Sequence, residues 1–133
     1  MNSAFLRPIR AFTTLVLLFT ASAAGAHSPP EKAVAFHGGI AYTTEAFNLE
    51  FVAEDGRLRL YVSDRHNRLL DVGGSNAKAL AWGKENTAEI GLKPSEPGAL
   101  EGAFQVASLQ RVIVTLHMPD HEPVKAWFSG ISN

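Results

Sequence analysis

Apolar and polar residues alternate along most of this chain, which is the pattern of half-buried β-strands. The clearest case is a pair of alternating runs at residues 47–51 and 58–62, which are joined through Asp55-Gly56. Two alternating runs connected by Asp-Gly form one of the strongest short sequence signals for a β-hairpin. The pattern therefore predicts a hairpin here, with the apolar side of each strand facing a core.

The same reasoning predicts five further strands, at residues 39–43, 77–82, 87–93, 110–118 and 123–128. Clusters of Gly, Pro, Asn and Asp separate these strands, and the cluster at residues 94–98 is one of the predicted turns. Residues 101–109 are compatible with one brief helical turn, and no segment has a long helical stripe. About seven short strands predict an all-β fold, an antiparallel β-sandwich or barrel of immunoglobulin-like size. The predicted core residues share the apolar strand faces: Phe47, Leu49, Phe51, Leu58, Leu60, Val62, Ile90, Leu92, Val112, Val114, Leu116, Val124, Ala126 and Phe128.

The first 26 residues have a different pattern. A basic head with Arg7 and Arg10 precedes an apolar run at residues 12–19 and small residues that end at Ala26. This order is typical of a cleavable secretory signal peptide, and the apolar run is shorter than the roughly 20 residues of a membrane-spanning helix. An uncleaved anchor is the alternative. We therefore expect a signal peptide at 1–26, a flexible leader at 27–36 and a β-sandwich domain at 37–133.

Composition narrows the range of partners. Removing Arg7 and Arg10 from the twelve basic residues leaves ten against thirteen acidic ones, a net charge of −3 with neutral histidines. A chain of this charge is not expected to bind nucleic acid. No second long apolar run follows the signal, so no membrane insertion of the mature chain is expected. The chain has no cysteine, so a metal site must use His, Met, carboxylates or the terminal amine.

Motifs for enzyme chemistry are missing from the sequence. It contains no G-x-S-x-G, no H-E-x-x-H and no glycine-rich loop for phosphate. The paired acids at residues 54–55 fall in the predicted hairpin turn, where solvated carboxylates are ordinary. We therefore do not expect an enzyme.

A cluster near the C-terminus combines ligands for metal ions. His117, Met118 and His121 lie within five residues at the end of a predicted strand. Imidazole suits copper and zinc, and a thioether favours copper(I). Neighbouring residues of a strand face opposite sides, so His117 and Met118 can share an ion only where the strand ends or bulges, as Pro119 would allow. The alternative is a buried Met118 beside two exposed histidines.

Two further histidines are candidates for metal binding. His37 precedes Gly38-Gly39, and glycines allow unusual backbone angles and close approach of other groups. The alternative there is a strand-entry turn with a histidine that faces solvent. If cleavage follows Ala26, the free amine and the imidazole of His27 can chelate one copper(II) ion together.

The motif His37-Gly38-Gly39, followed by the hairpin at 47–62 and by Asp64, resembles a segment of known transport proteins. It is similar to the His-Gly-Gly-starting segment near the N-terminus of periplasmic adaptor subunits of cobalt–zinc–cadmium and copper efflux pumps. Small free-standing periplasmic proteins also share that segment, and residues 37–128 look most like those. The resemblance implies an exported periplasmic β-module of metal homeostasis without enzyme activity, with His37 as the matching position. The chain lacks the long helical hairpin of the adaptors, so it is not itself an adaptor.

These observations lead to two expectations. The first is a periplasmic metal-binding protein that captures or buffers copper or zinc and passes it to components of a heavy-metal efflux pump. Its expected ligands are His37, His117 and His121, with Met118 and His27 as auxiliaries. The second is a metal-independent periplasmic binding or assembly module that uses a sheet edge or the face around Trp127.

Overall fold

The computed structural model describes Pro29 and residues 31–131. The predicted signal peptide at 1–26 and the candidate ligand His27 lie outside the described residues. Within them the chain forms eight β-strands: β1 (Ile40–Thr43), β2 (Asn48–Glu54), β3 (Arg57–Ser63), β4 (Asn76–Trp82), β5 (Thr87–Glu96), β6 (Ala99–Ala103), β7 (Arg111–His117) and β8 (Val124–Ser129). In this part of the chain, no helix has the length and apolar character needed to cross a membrane.

The eight strands make one antiparallel sheet in the order β1-β2-β3-β6-β5-β4-β7-β8. Strands β1 and β8, at the two ends of this order, also contact each other. The sheet therefore curls into a nearly closed barrel around the core. The predicted all-β antiparallel fold is confirmed, with eight strands instead of about seven.

The additional strand is β6, which lies between β3 and β5. The helical turn predicted at 101–109 is wrong, because residues 101–103 belong to this strand. The turn predicted at 94–98 is shorter than expected, since β5 continues to Glu96 with an irregular register next to Pro94. The sequence of β6, Ala-Leu-Glu-Gly-Ala, has no β-branched residue. Its extended form follows from pairing on both sides, which local sequence does not reveal.

The predicted hairpin is confirmed as β2 and β3, with Phe51 opposite Leu60. Asp55 and Gly56 both have positive φ, 52° and 72°, as a type I′ turn requires. The predicted core residues are buried inside the barrel, except Val124, which is half-buried. The rings of Phe51 and Phe128 stack at 5.0 Å, which joins β2 to β8 across the interior.

The outer face of β2 is also buried, which the alternating pattern does not predict. Asn48 and Glu50 point away from the core residues Leu49 and Phe51, yet they are only 1% and 4% exposed. The chain before β1 covers them, because residues 31–39 bond to both side chains. This cover creates the site described next.

Candidate functional site

The Glu50 carboxylate organises the turn that leads into β1. Its two oxygens accept hydrogen bonds from the backbone N–H groups of Phe36 (3.1 Å), His37 (2.7 Å) and Gly39 (3.0 Å). The Nδ1 atom of the His37 ring lies 2.7 Å from Oε2 of the same carboxylate. One buried acid thus holds three backbone donors and one imidazole, and it ties the turn to the outer face of β2.

The two glycines after His37 are needed for this turn. Gly38 has a φ of +74°, a left-handed conformation that other residues adopt only at a cost. A Cβ atom on Gly39 would lie 2.3 Å from the carbonyl oxygen of Phe51. The backbone at residue 39 therefore approaches β2 more closely than any side chain allows. The His-Gly-Gly motif is a strand-entry turn, and its histidine is partly exposed.

The environment of Glu50 stabilises its charged form. Burial acts to raise the pKa of Glu50, but hydrogen bonds from the His37 side chain and from the backbone of Gly39 and His37 act against it. The pKa of the carboxyl is consequently lowered below its ordinary value. Glu50 is therefore an anion at neutral pH, fully engaged by N–H donors.

The His37 ring is fixed on two sides. It stacks on the ring of Tyr61 at 3.6 Å between centroids, with the planes 2° apart. The Tyr61 hydroxyl donates a hydrogen bond to Glu96 (3.2 Å), and burial together with this bond raises the pKa of Tyr61. With Nδ1 donating to Glu50, Nε2 is the ring nitrogen left to accept a hydrogen bond or to bind a cation. In the neutral form of the ring, the arrangement presents one oriented Lewis base.

A cavity of about 330 Å³ lies beside this ring, between residues 33–37 and the outer face of β2 and β3. Its polar residues are His37, Asn48, Glu50, Tyr61, Ser63 and Asn67. Its apolar rim includes Val34, Phe36 and Leu69, which are three of the four large hydrophobic residues exposed in the described chain. Apolar surface collected around a few polar groups is the usual composition of a ligand pocket.

Asn48 is the least satisfied polar residue of the cavity. Its Nδ2 donates to the carbonyl oxygen of Glu31 (2.8 Å) and to Oδ1 of Asn67 (3.1 Å). Its own Oδ1 is buried and has no hydrogen-bond partner within residues 31–131. A buried acceptor without a partner costs about 1–3 kcal/mol, so Asn48 marks a position where a bound donor would be stabilised.

The other predicted metal ligands lie elsewhere. His117 is exposed at the end of β7, in a depression that it shares with Lys78 and Lys93. The His121 and Phe47 rings meet in a T-shaped contact with their centroids 5.0 Å apart, and His121 lines a depression together with Glu45 and Glu122.

Met118 is half-buried against the core, and its Sδ accepts a hydrogen bond from the Ser75 hydroxyl (3.0 Å). The structure thus places His37, His117 and His121 at three different depressions. No group of three or more His, Cys, Asp or Glu side chains in the described part of the chain is arranged to hold a metal ion.

Sequence reasoning missed Glu50, Asn48 and Tyr61. All three occupy the outer positions of β2 and β3, where the alternating pattern indicates solvent. The available signal was the position of Glu50, a carboxylate in the middle of a predicted strand instead of at its end.

Comparison of the chain with models of protein families finds no match, and no curated protein and no solved structure matches it either.

Proposed function

We propose that this protein is a periplasmic metal-binding protein that captures or buffers copper or zinc, with His37 as its principal ligand. The observation that carries the proposal is the His37–Glu50 pair. Histidines that bind metals commonly donate their second ring nitrogen to a carboxylate, which fixes the ring and makes the free nitrogen more basic. In this chain the Nδ1–Glu50 bond leaves Nε2 in that role.

The second ligand group in this proposal is the amino terminus at His27. The backbone N–H of Glu31 donates to the carbonyl oxygen of Arg65 (2.7 Å), and the carbonyl oxygen of Glu31 accepts a hydrogen bond from the Asn48 side chain. Residue 31 is therefore anchored close to the His37 site, since Asn48 and Glu50 are two residues apart on β2. Four residues of extended chain span at most about 14 Å, so the proposal requires the amine and imidazole of His27 to lie within that distance of Glu31.

A site of this kind would bind weakly and exchange its ion. It lacks the four protein ligands of a closed structural zinc site, and open coordination suits buffering and transfer. The resemblance of residues 37–128 to efflux adaptor segments supports a heavy-metal efflux pump as the acceptor of the ion. His117, Met118 and His121 are not part of the proposed site, because the two histidines line other depressions and Met118 packs against the core.

Calorimetric titration with copper(II) and zinc(II) tests this proposal on protein that begins at His27. We expect His37→Ala to weaken binding more than tenfold, and Glu50→Gln to weaken it about tenfold, as loss of a supporting carboxylate does elsewhere. His117→Ala is the matched control and should bind like the parent. One additional residue before His27 should also weaken copper binding. Equal affinities for the parent and His37→Ala would refute the proposal.

A second function, assembly without metal, is favoured by the open seam of the barrel. Strands β1 and β8 contact each other, but they are not neighbours in the hydrogen-bonded order. Trp127 on β8 is 52% exposed beside Tyr42 on β1, with ring centroids 6.5 Å apart. Free strand edges can pair with another chain. Sedimentation over a range of concentrations tests a second copy as that chain, and a dimer should dissociate in Trp127→Ser.

A further inference from the structure

The apolar rim of the cavity faces water. Phe36 is 68% exposed, and Val34 and Leu69 are each about half exposed. Two of them belong to the segment before β1, and the third follows β3, so they meet at the cavity from separate parts of the chain. Apolar residues gathered around a concave site indicate a place for the apolar part of a ligand.

Two hydrogen-bond acceptors belong to residues that line the cavity. Oδ1 of Asn48 is buried and unpaired within the described residues, and its amide orientation is set by the two bonds that Nδ2 donates. Nε2 of His37 is a second acceptor when Nδ1 donates to Glu50. A ligand that bonds to these two acceptors therefore carries hydrogen-bond donors.

The charges of the residues that line the cavity indicate which kind of donor group fits there. The Glu50 carboxylate lies in the cavity lining, and none of the described lining residues is Lys or Arg. Glu50 accepts its hydrogen bonds from three backbone N–H groups and the His37 imidazole. These donors satisfy its oxygens, and none of them is a Lys or Arg side chain. With a neutral His37 ring, the lining therefore carries one carboxylate and no Lys or Arg side chain, which favours a positively charged group over an anion.

We propose that this cavity binds a small organic amine, with its ammonium group directed to Asn48 and His37 and its aliphatic or aromatic body against Phe36 and Leu69. A volume of about 330 Å³ is at the lower end of ligand pockets, which limits the ligand to a small molecule. This binding needs no metal ion, but it shares Nε2 of His37 with the proposed metal site, so an amine and a metal ion would compete for that atom.

Titration with three probes of equal chain length tests the ligand class. Hexylammonium, hexan-1-ol and hexanoate are added to the full mature protein in the presence of EDTA, with calorimetry and amide chemical shifts as readouts. We expect hexylammonium to bind at least about tenfold more tightly than hexan-1-ol, because a charged donor strengthens the hydrogen bonds. Hexanoate should not bind. The shifted amide signals should belong to residues that line the cavity.

Two variants at exposed positions test the location without risk to the fold. Phe36→Ser and Leu69→Ser should each weaken hexylammonium binding about tenfold through loss of apolar contact, and Trp127→Ser is the matched control that should leave it unchanged. Asn48→Leu should abolish the preference for the amine over the alcohol, with thermal unfolding as the check that it folds.

Three outcomes would overturn the proposal: hexanoate binding as tightly as hexylammonium, no binding of any probe, or parent-like binding by both rim variants. A result in which Phe36 and Leu69 contact a protein while the amine does not bind would also overturn it. Metal titration of the same rim variants separates the two functions. One possible result is that no amine binds while His37 still binds copper. Another is that the amine binds while copper does not, and the two titrations distinguish these results.

Discussion

The two faces of β2 are built on opposite principles. Leu49 and Phe51 face inward among many apolar neighbours, so their burial is supported by the whole core. Asn48 and Glu50 face outward and are just as buried, but under a short cover of chain held by a few hydrogen bonds. Packing on the inner face stabilises the barrel, and polar bonds on the outer face position a site. Burial alone therefore does not identify a core.

The largest expected effect is on the inner face. Phe51→Ala should lower the free energy of unfolding by about 3–5 kcal/mol, because it removes a ring packed on Phe128 and leaves a cavity. Phe36→Ala is the matched control, since Phe36 is mostly exposed, and it should change stability by less than about 0.5 kcal/mol. Urea unfolding of both variants provides the measurement. Similar losses in the two would contradict the assignment of inner and outer faces.

On the outer face, Glu50→Gln should cost about 1.5–3 kcal/mol, as expected when hydrogen bonds to a charged group are lost. The loss should be local, so the amides of His37 and Gly39 should exchange hydrogen faster while those inside the barrel stay protected. Glu54→Gln is the control, because Glu54 is exposed on the same strand. Hydrogen exchange that rises uniformly through the barrel would show that Glu50 supports the core and not the cover alone.

The close approach at Gly39 gives the next effect. Gly39→Ala should cost about 1–3 kcal/mol, as overpacking does, because the added Cβ meets the backbone of Phe51. Gly91 on β5 has open space at the same position, so Gly91→Ala should be neutral or slightly stabilising. Denaturation curves of the two variants decide the matter, and equal stabilities would mean that the turn can shift away from β2.

Acid should weaken the outer face before the inner one. The pKa of Glu50 is lowered in the folded state, so its contribution to stability is present above its unfolded pKa near 4.3 and is lost as the pH falls through the lower folded value. We expect stability to fall more steeply below about pH 4.3 in the parent than in Glu50→Gln. Parallel pH profiles for the two proteins would argue against this role of Glu50.

The smallest effect is expected at the rim of the cavity. Leu69→Ser changes an exposed residue and should alter stability by less than about 0.5 kcal/mol. It should nevertheless weaken hexylammonium binding, as argued above. A large loss of stability would instead make Leu69 part of the support of the fold.

The sequence pattern predicts the all-β class, the β2–β3 hairpin and 13 of the 24 buried apolar residues, because alternation and turn residues are local properties that the barrel repeats. It also drew attention to His37-Gly38-Gly39. The strand β6 forms through tertiary pairing, since its pairing partners lie about 40 residues before it and immediately before it along the chain. The same holds for Glu50, Asn48 and Tyr61, which become a site only when residues 31–39 fold over the outer face. Contacts between distant segments leave no periodic trace in the sequence, so the site depends on the folded chain.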